Sequence, residues 1–365
     1  IYEGIYDHYH NVEGLEMPYT WQVITEHTRP HSSIGVLMGI KAPAARNSRI
    51  IKKPLFRKAL LRAGALDSLT AKAPADAVLV QPGSSVQAAV DALGGRKGWV
   101  ILAPGVHELD SALKMHSNVT LSGAGLSSVI MLKRQVRDFT IVSGDPALHD
   151  VVLRDFVVEG ATDTIRHADP NDEHRRRLYM NAASRGGIKF SADSSREIHN
   201  IRLIHLTILD CTESGLSVSG ASDITLDSCN FYYNGSSVVP GAGLHHNLKL
   251  DHVSECRITG SRFDDSPWGS GIFMNHSKDI VISGIEAARN RCSGIECSQG
   301  ENIRVTGSLL EGNDGQGINA YSVLNEGENV GLFNNVLRNN GAYGLRINNV
   351  HAHTQRNVTV DNGMH

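Results

Sequence analysis

An all-β solenoid, specifically a right-handed parallel β-helix, is the fold class this chain predicts, and three observations predict it. A glycine followed by Ile or Leu recurs through the C-terminal half as Gly187-Ile188, Gly215-Leu216, Gly243-Leu244, Gly271-Ile272, Gly294-Ile295, Gly317-Ile318 and Gly344-Leu345, at spacings of 28, 28, 28, 23, 23 and 27 residues. Such a period is too short for a domain and suits one supersecondary unit that stacks on copies of itself. About half a turn away stand short alternating stretches: Ile201-Arg202-Leu203, Ile224-Thr225-Leu226, Cys256-Arg257-Ile258, Ile280-Val281-Ile282, Ile303-Arg304-Val305 and Val330-Gly331-Leu332. They are bounded by Asn, Asp, Gly and Ser, the mark of strands separated by turns, and nothing between them is long or periodic enough for a helix. Leucine-rich repeats share the period, but their L-x-x-L-x-L-x-x-N consensus is absent.

The start of the repeat region reads consistently. Ser84-Ser85-Val86-Gln87 has the form of a capping box opening a short helix through Leu93. Strand-like runs follow from Trp99 to His107 and from Asn118 to Gly125. With these features the sequence resembles the pectate-lyase-like β-helix superfamily over about residues 78–365. The resemblance implies a helix plugging the open end of the stack, followed by the strands of the first turns. It leaves activity open, because one architecture hosts lyases, hydrolases, epimerases and viral adhesins.

Residues 1–77 form an extension outside the repeat, expected to pack along the solenoid or cover its end. It has an aromatic opening (Tyr2, Tyr6, Tyr9, Tyr19, Trp21) and a basic amphipathic helix from Pro54 to Ala63. Asp7-His8-Tyr9-His10 lacks identifiable third and fourth metal ligands. At the other end no cap is evident before His365, so the expected cover of that edge is the N-terminal segment or another subunit, a route to a homo-oligomer.

Composition narrows the partners. With a net charge of −3 there is no generic attraction for polyanions. No stretch of apolar residues is long enough to span a membrane. The five cysteines (Cys211, Cys229, Cys256, Cys292, Cys297) include no Cys-x-x-Cys pair and predict buried, stacked thiols. The chain starts at Ile1, so a removed leader and a secreted or periplasmic location are the expectation.

If each Ile or Leu after the repeated glycine points inward, the residues between point out. The first outward column then reads Lys189, Ser217, His245, Phe273, Glu296, Asn319, Arg346, and the second Ser191, Ser219, Asn247, Asn275, Ser298, Tyr321, Asn348. Cationic, imidazole, carboxylate, amide and phenol groups on one sheet face suit a saccharide site. The interruption before Gly187 adds Arg175, Arg176, Arg177 and Arg185, which favour an anionic polysaccharide or oligosaccharide. No aromatic stacking platform or nucleic-acid module accompanies these arginines, so nucleic acid is not expected.

A lyase acting on uronate chains must neutralise the substrate carboxylate, remove the adjacent proton and protonate the leaving oxygen. His245 is the expected base, Tyr321 the acid, and Asn247, Asn275 and Arg346 the carboxylate holders. A glycoside hydrolase instead needs two carboxyl groups, which Glu296 with Asp264 and Asp265 would supply, beside Trp268. A third reading is a non-catalytic adhesin or tail-spike-like module binding glycans through the same face. No acidic cluster makes a strong Ca²⁺ site, so no cofactor or metal is expected.

Overall fold

The computed structural model describes residues 73–133, 135–160, 185–192, 197–235, 245–322 and 329–364. The expectations for residues 1–72, including the helix at 54–63, and for Arg175–Arg177 lie outside the described residues. Within them the chain is an all-β parallel solenoid. Each turn contributes three strands, here termed a, b and c; in one regular turn they are Ile272–Asn275, Lys278–Ser283 and Glu286–Ala288. Strands a and b of successive turns build an 18-stranded sheet, and the c strands a 10-stranded sheet. Every strand pairs in parallel with its equivalent one turn on, as Ile272 with Ile295 and then Ile295 with Ile318.

The short helix is present as Val86–Asp91, with the Ser85 hydroxyl accepting from the Ala88 N–H at 3.1 Å. It ends before Leu93 because Ala92 is its C-cap, and Val86, Ala89 and Val90 join the core. All five cysteines are free thiols, four of them buried. Among the described residues no helix is long and apolar enough to cross a membrane.

Strand alternation buries one residue in two. Ile188, Leu216, Leu248, Ile272, Ile295 and Ile318 stack inward and are at most 2% exposed. Burial of each contributes roughly 1.5–3 kcal/mol. In the eight successive turns that begin with Asp155 the chain passes from strand b to strand c in two residues, and the first of the two is left-handed: Asp155, His205, Ser228, Gly260, Gly284, Gly307, Asn334 and Arg356, with φ between 52° and 61°. Only Gly adopts that conformation without cost, so sheet pairing on both sides must hold the others there.

The corner from c to a begins with another left-handed residue and then sends an asparagine inward. Asn290, Asn313, Asn340 and Asn362 form a ladder in which each amide donates to the next Oδ1, as Asn290 Nδ2 to Asn313 Oδ1 at 3.0 Å, and to a backbone carbonyl, as Asn313 Nδ2 to Ala287 O at 3.0 Å. The ladder and the close carbonyl of the next turn together explain the repeated glycine: a Cβ would lie 2.8 Å from Gly317 O at Gly294 and 2.6 Å from Gly344 O at Gly317. A Cβ at Gly294 or Gly317 would lie 3.0 Å from the ladder amide, and at Gly344 2.7 Å from it.

One turn departs from the pattern. Its ladder position is Ser266, which has no amide, and its glycine position is Asn247. The Asn247 side chain fills the gap: Oδ1 accepts from Asn234 Nδ2 at 3.0 Å, and Nδ2 donates to Asn290 Oδ1 at 3.1 Å and to Asp264 O at 2.9 Å. The ladder therefore passes through this turn on a side chain supplied from the opposite end of the corner.

That substitution also corrects the register expected from sequence. Leu216 pairs with Leu248, and Leu248 with Ile272, so Leu248, not Leu244, belongs to the inward stack. Leu244 itself lies outside the described residues. The two outward columns consequently hold Lys249 and Asp251 where His245 and Asn247 were expected.

Exchanging the two roles tests this account. Asn247→Gly should destabilise the protein by about 2–4 kcal/mol, since it strands buried amide groups, and Asn247→Gly with Ser266→Asn should restore at least half of the loss. Urea unfolding of the two variants measures both quantities; a double variant no more stable than the single one would contradict the exchange.

Candidate saccharide-binding face

Strand a presents the outward columns, and the corrected first column runs Lys189, Ser217, Lys249, Phe273, Glu296, Asn319, Arg346. The second runs Ser191, Ser219, Asp251, Asn275, Ser298, Tyr321, Asn348. The residue two before each inward Ile or Leu borders these columns, and there His246 and Ser270 stand in successive turns.

These residues converge on Glu296. Its Oε2 accepts from the Ser270 hydroxyl at 2.9 Å, and its Oε1 from the Tyr321 hydroxyl at 3.3 Å. Burial, reinforced by the Glu296 carboxylate, raises the Tyr321 pKa above the usual phenol value, so the hydroxyl keeps its proton at neutral pH. Asn319, paired with Glu296 across the strands, is 8% exposed and its Oδ1 has no partner. That oxygen is itself buried beneath the face. Phe273 stacks on His246 with ring centroids 4.6 Å apart and planes 6° apart. His246 Nδ1 accepts the Ser270 N–H at 3.0 Å, which leaves the proton on Nε2. Asn275 Nδ2 donates to Asp251 Oδ1 at 2.8 Å.

The remaining expected site residues are placed differently. Arg185 is 1% exposed, and its guanidinium donates to the carbonyls of Val136 at 2.9 Å, Gly160 at 3.2 Å and Lys133 at 2.5 Å. It clamps the corner where the regular turn is interrupted and offers no charge to a polyanion. Lys189 is exposed and lies over the Phe139 ring, 5.5 Å from its centroid. Asn247 is fully buried in the ladder. His245 stands three residues before Leu248, outside both columns; burial lowers its pKa, against the pull of Glu213. Arg177 lies outside the described residues.

Asp264 and Asp265 are buried, and Arg289 binds both, with Nη2 at 3.0 Å from Asp264 and 2.9 Å from Asp265. Arg262 approaches Asp264 at 3.4 Å. Burial pushes the Asp264 carboxyl above the usual carboxylate range, while these guanidinium groups pull it back. Trp268 is 7% exposed and is no open platform for a sugar. The carboxyl pair expected for hydrolysis is thus committed to an internal ion-pair cluster.

Sequence reasoning missed Lys249, Asp251, His246 and Ser270. The signal that would have found them is the alternation Leu248-Lys249-Leu250-Asp251, which continues the strand pattern better than Gly243-Leu244 does.

A stack of parallel three-stranded turns defines the molecule as a parallel β-helix protein. The chain belongs to the family described as the right-handed β-helix region, whose model matches residues 179–363. No curated protein matches it at a significant level. Among solved structures it is similar to the gene product 12 of bacteriophage phi29, at 15% identity and a TM-score of 0.56 over 74% of this chain and 40% of that one. It is also similar to PfbA, a surface adhesin of Streptococcus pneumoniae, at 12% identity and a TM-score of 0.52 over 79% and 81%. Pectate lyase Pel9A aligns at 15% identity and a TM-score of 0.49 over 81% and 78%. At these identities the likeness establishes the fold alone.

The buried imidazole makes a pH prediction. Burial, aided by Lys249 and His245, pushes the His246 pKa down to about 3. The unfolded chain takes up this proton near 6.5 and the folded chain only near 3, so stability falls as pH drops through that window, by on the order of 4 kcal/mol at its acid end. Urea unfolding between pH 7 and pH 4 should show a clearly shallower loss in His246→Gln than in the wild type; equal slopes would remove His246 from the account.

Proposed function

We propose that the strand-a face is the catalytic face of a polysaccharide lyase, cleaving a uronate-containing chain by β-elimination. The observation that carries this reading is the Glu296–Tyr321 pair, a carboxylate hydrogen-bonded to a phenol that keeps its proton. Glu296 takes the proton from the carbon next to the substrate carboxylate, and the electron pair passes into that carboxylate as an enolate. The bond from the β carbon to the glycosidic oxygen then breaks, and Tyr321 protonates the departing oxygen. Afterwards the protonated Glu296 faces the Tyr321 phenolate across the same hydrogen bond, and returning the proton resets both groups. Arg346, exposed one strand further on, holds the substrate carboxylate.

Two features favour elimination over hydrolysis. The nearest other carboxylate in these columns is Asp251, two turns from Glu296 and offset along the strand. Their Cα atoms are roughly 12 Å apart, and Asp251 is held by Asn275 and His252 and not turned toward Glu296. In addition, Glu296 is held by hydroxyl groups, whereas Asp264, Asp265, Glu286, Glu311 and Asp314 are each bound by arginine. Asp264 and Asp265 are moreover buried out of a substrate's reach, and guanidinium contact favours the charged form of the others over a protonated one.

The purified protein should be incubated with a panel of uronate polysaccharides while ultraviolet absorbance and reducing ends are followed together. Elimination produces both signals. Reducing ends without absorbance would mean hydrolysis, and neither signal with measurable binding would mean a glycan-binding module. Glu296→Gln and Tyr321→Phe should each lower turnover by roughly 10²- to 10⁴-fold with little change in stability. Full activity in both variants would move the chemistry off this face.

A further inference from the structure

At the corner where strand a passes into strand b, two successive turns carry histidine in a left-handed backbone conformation, His252 with φ 52° and His276 with φ 45°. The register that pairs Asp251 with Asn275 brings the two imidazoles face to face, with centroids 4.8 Å apart and planes 9° apart. Asp251, immediately before His252, turns its carboxylate to the same spot and accepts from His252 Nδ1 at 3.2 Å. Asn275 holds that carboxylate from the next strand at 2.8 Å. The ligand atoms of Asp251, His252 and His276 all lie within 4.8 Å of one another, and among the described residues no other three side chains of this type converge so.

We propose that Asp251, His252 and His276 form a binding site for a divalent transition-metal ion of the zinc type. Two imidazoles and one carboxylate are borderline donors that suit zinc, nickel or copper, whereas calcium asks for six or more oxygens. An ion bonded at roughly 2.0–2.2 Å to each donor requires the donors to stand a little closer than they do here. Both imidazoles are exposed, so rotation about their side-chain bonds supplies that closure. Asn275 acts behind the carboxylate as an orienting group. Solvent completes the coordination on the outer side. The proposal uses neither Glu296 nor Tyr321 and stands independently of the elimination reading.

The test is titration of the metal-stripped protein with zinc chloride by calorimetry, alongside the visible spectrum of the cobalt(II) form. The wild type should bind zinc and show the bands of cobalt with nitrogen ligands. His252→Asn and His276→Asn each keep a residue that tolerates left-handed backbone, and each should weaken zinc binding at least roughly 10-fold. His199→Asn provides the control. Its imidazole stacks on His149 with centroids 5.3 Å apart, and Asp150 accepts from His149 Nδ1 at 2.8 Å, but the ligand atoms of these three do not converge as those of Asp251, His252 and His276 do, so zinc affinity should not change. No binding by the wild type, or wild-type affinity in both His252→Asn and His276→Asn, would overturn the proposal. If either variant fails to fold, a cobalt spectrum of the wild type without nitrogen-ligand bands would overturn it equally.

Discussion

A parallel solenoid must bring its chain back, turn after turn, to a point one strand spacing above where it began, and the corners set whether it does. Here the corner from b to c does this with two residues, the first left-handed, and the corner from c to a does it with a left-handed residue followed by an inward asparagine. Left-handed backbone is costly for Asp, His, Ser, Asn and Arg, and it persists because the strands on either side are fully paired. The amide ladder satisfies backbone and side-chain groups that the corner would otherwise bury unpaired. Strand register, the inward stack and the outward columns all inherit their positions from these corners.

Much of this was legible in sequence because the corner leaves a trace there. The glycine before most of the inward Ile or Leu residues is needed because the backbone carbonyl of the next turn's glycine and the ladder asparagine both crowd the place of a Cβ. The trace misleads in one turn. Asn247 and Ser266 have exchanged the usual residues, while Gly243-Leu244 happens to continue the earlier spacing of 28. The assignment of Phe273, Asn275, Glu296, Asn319, Tyr321 and Arg346 to the outward face depended only on regular turns. His245 and Asn247 depended on the irregular one.

The displaced basic and acidic residues share a different cause. Arg185 reads as a surface charge, but its guanidinium is occupied by three carbonyls that an interrupted corner leaves without strand partners. Asp264 and Asp265 read as a catalytic pair, but Arg289 stands one turn later at the left-handed position and binds both. Each requires knowledge of which residues meet across turns, and single-chain patterning gives that only where the period is constant.

The constancy of the b-to-c corner bears on how such a protein can vary. Eight successive turns cross it with the same two-residue step, whereas strand c and the following strand a are separated by residues 160–185 in one turn and by residues 233–247 in another. The a-to-b corner is also longer in some turns, as between Ser322 and Val330. The largest differences in length therefore fall at the two corners that border strand a, while the b-to-c corner lengthens to four residues, Ala124–Ser127, in one early turn. A lineage of such chains has one face whose rims can be lengthened, shortened or exchanged while the opposite corner keeps time, so new ligand specificities can be tried without renegotiating the fold.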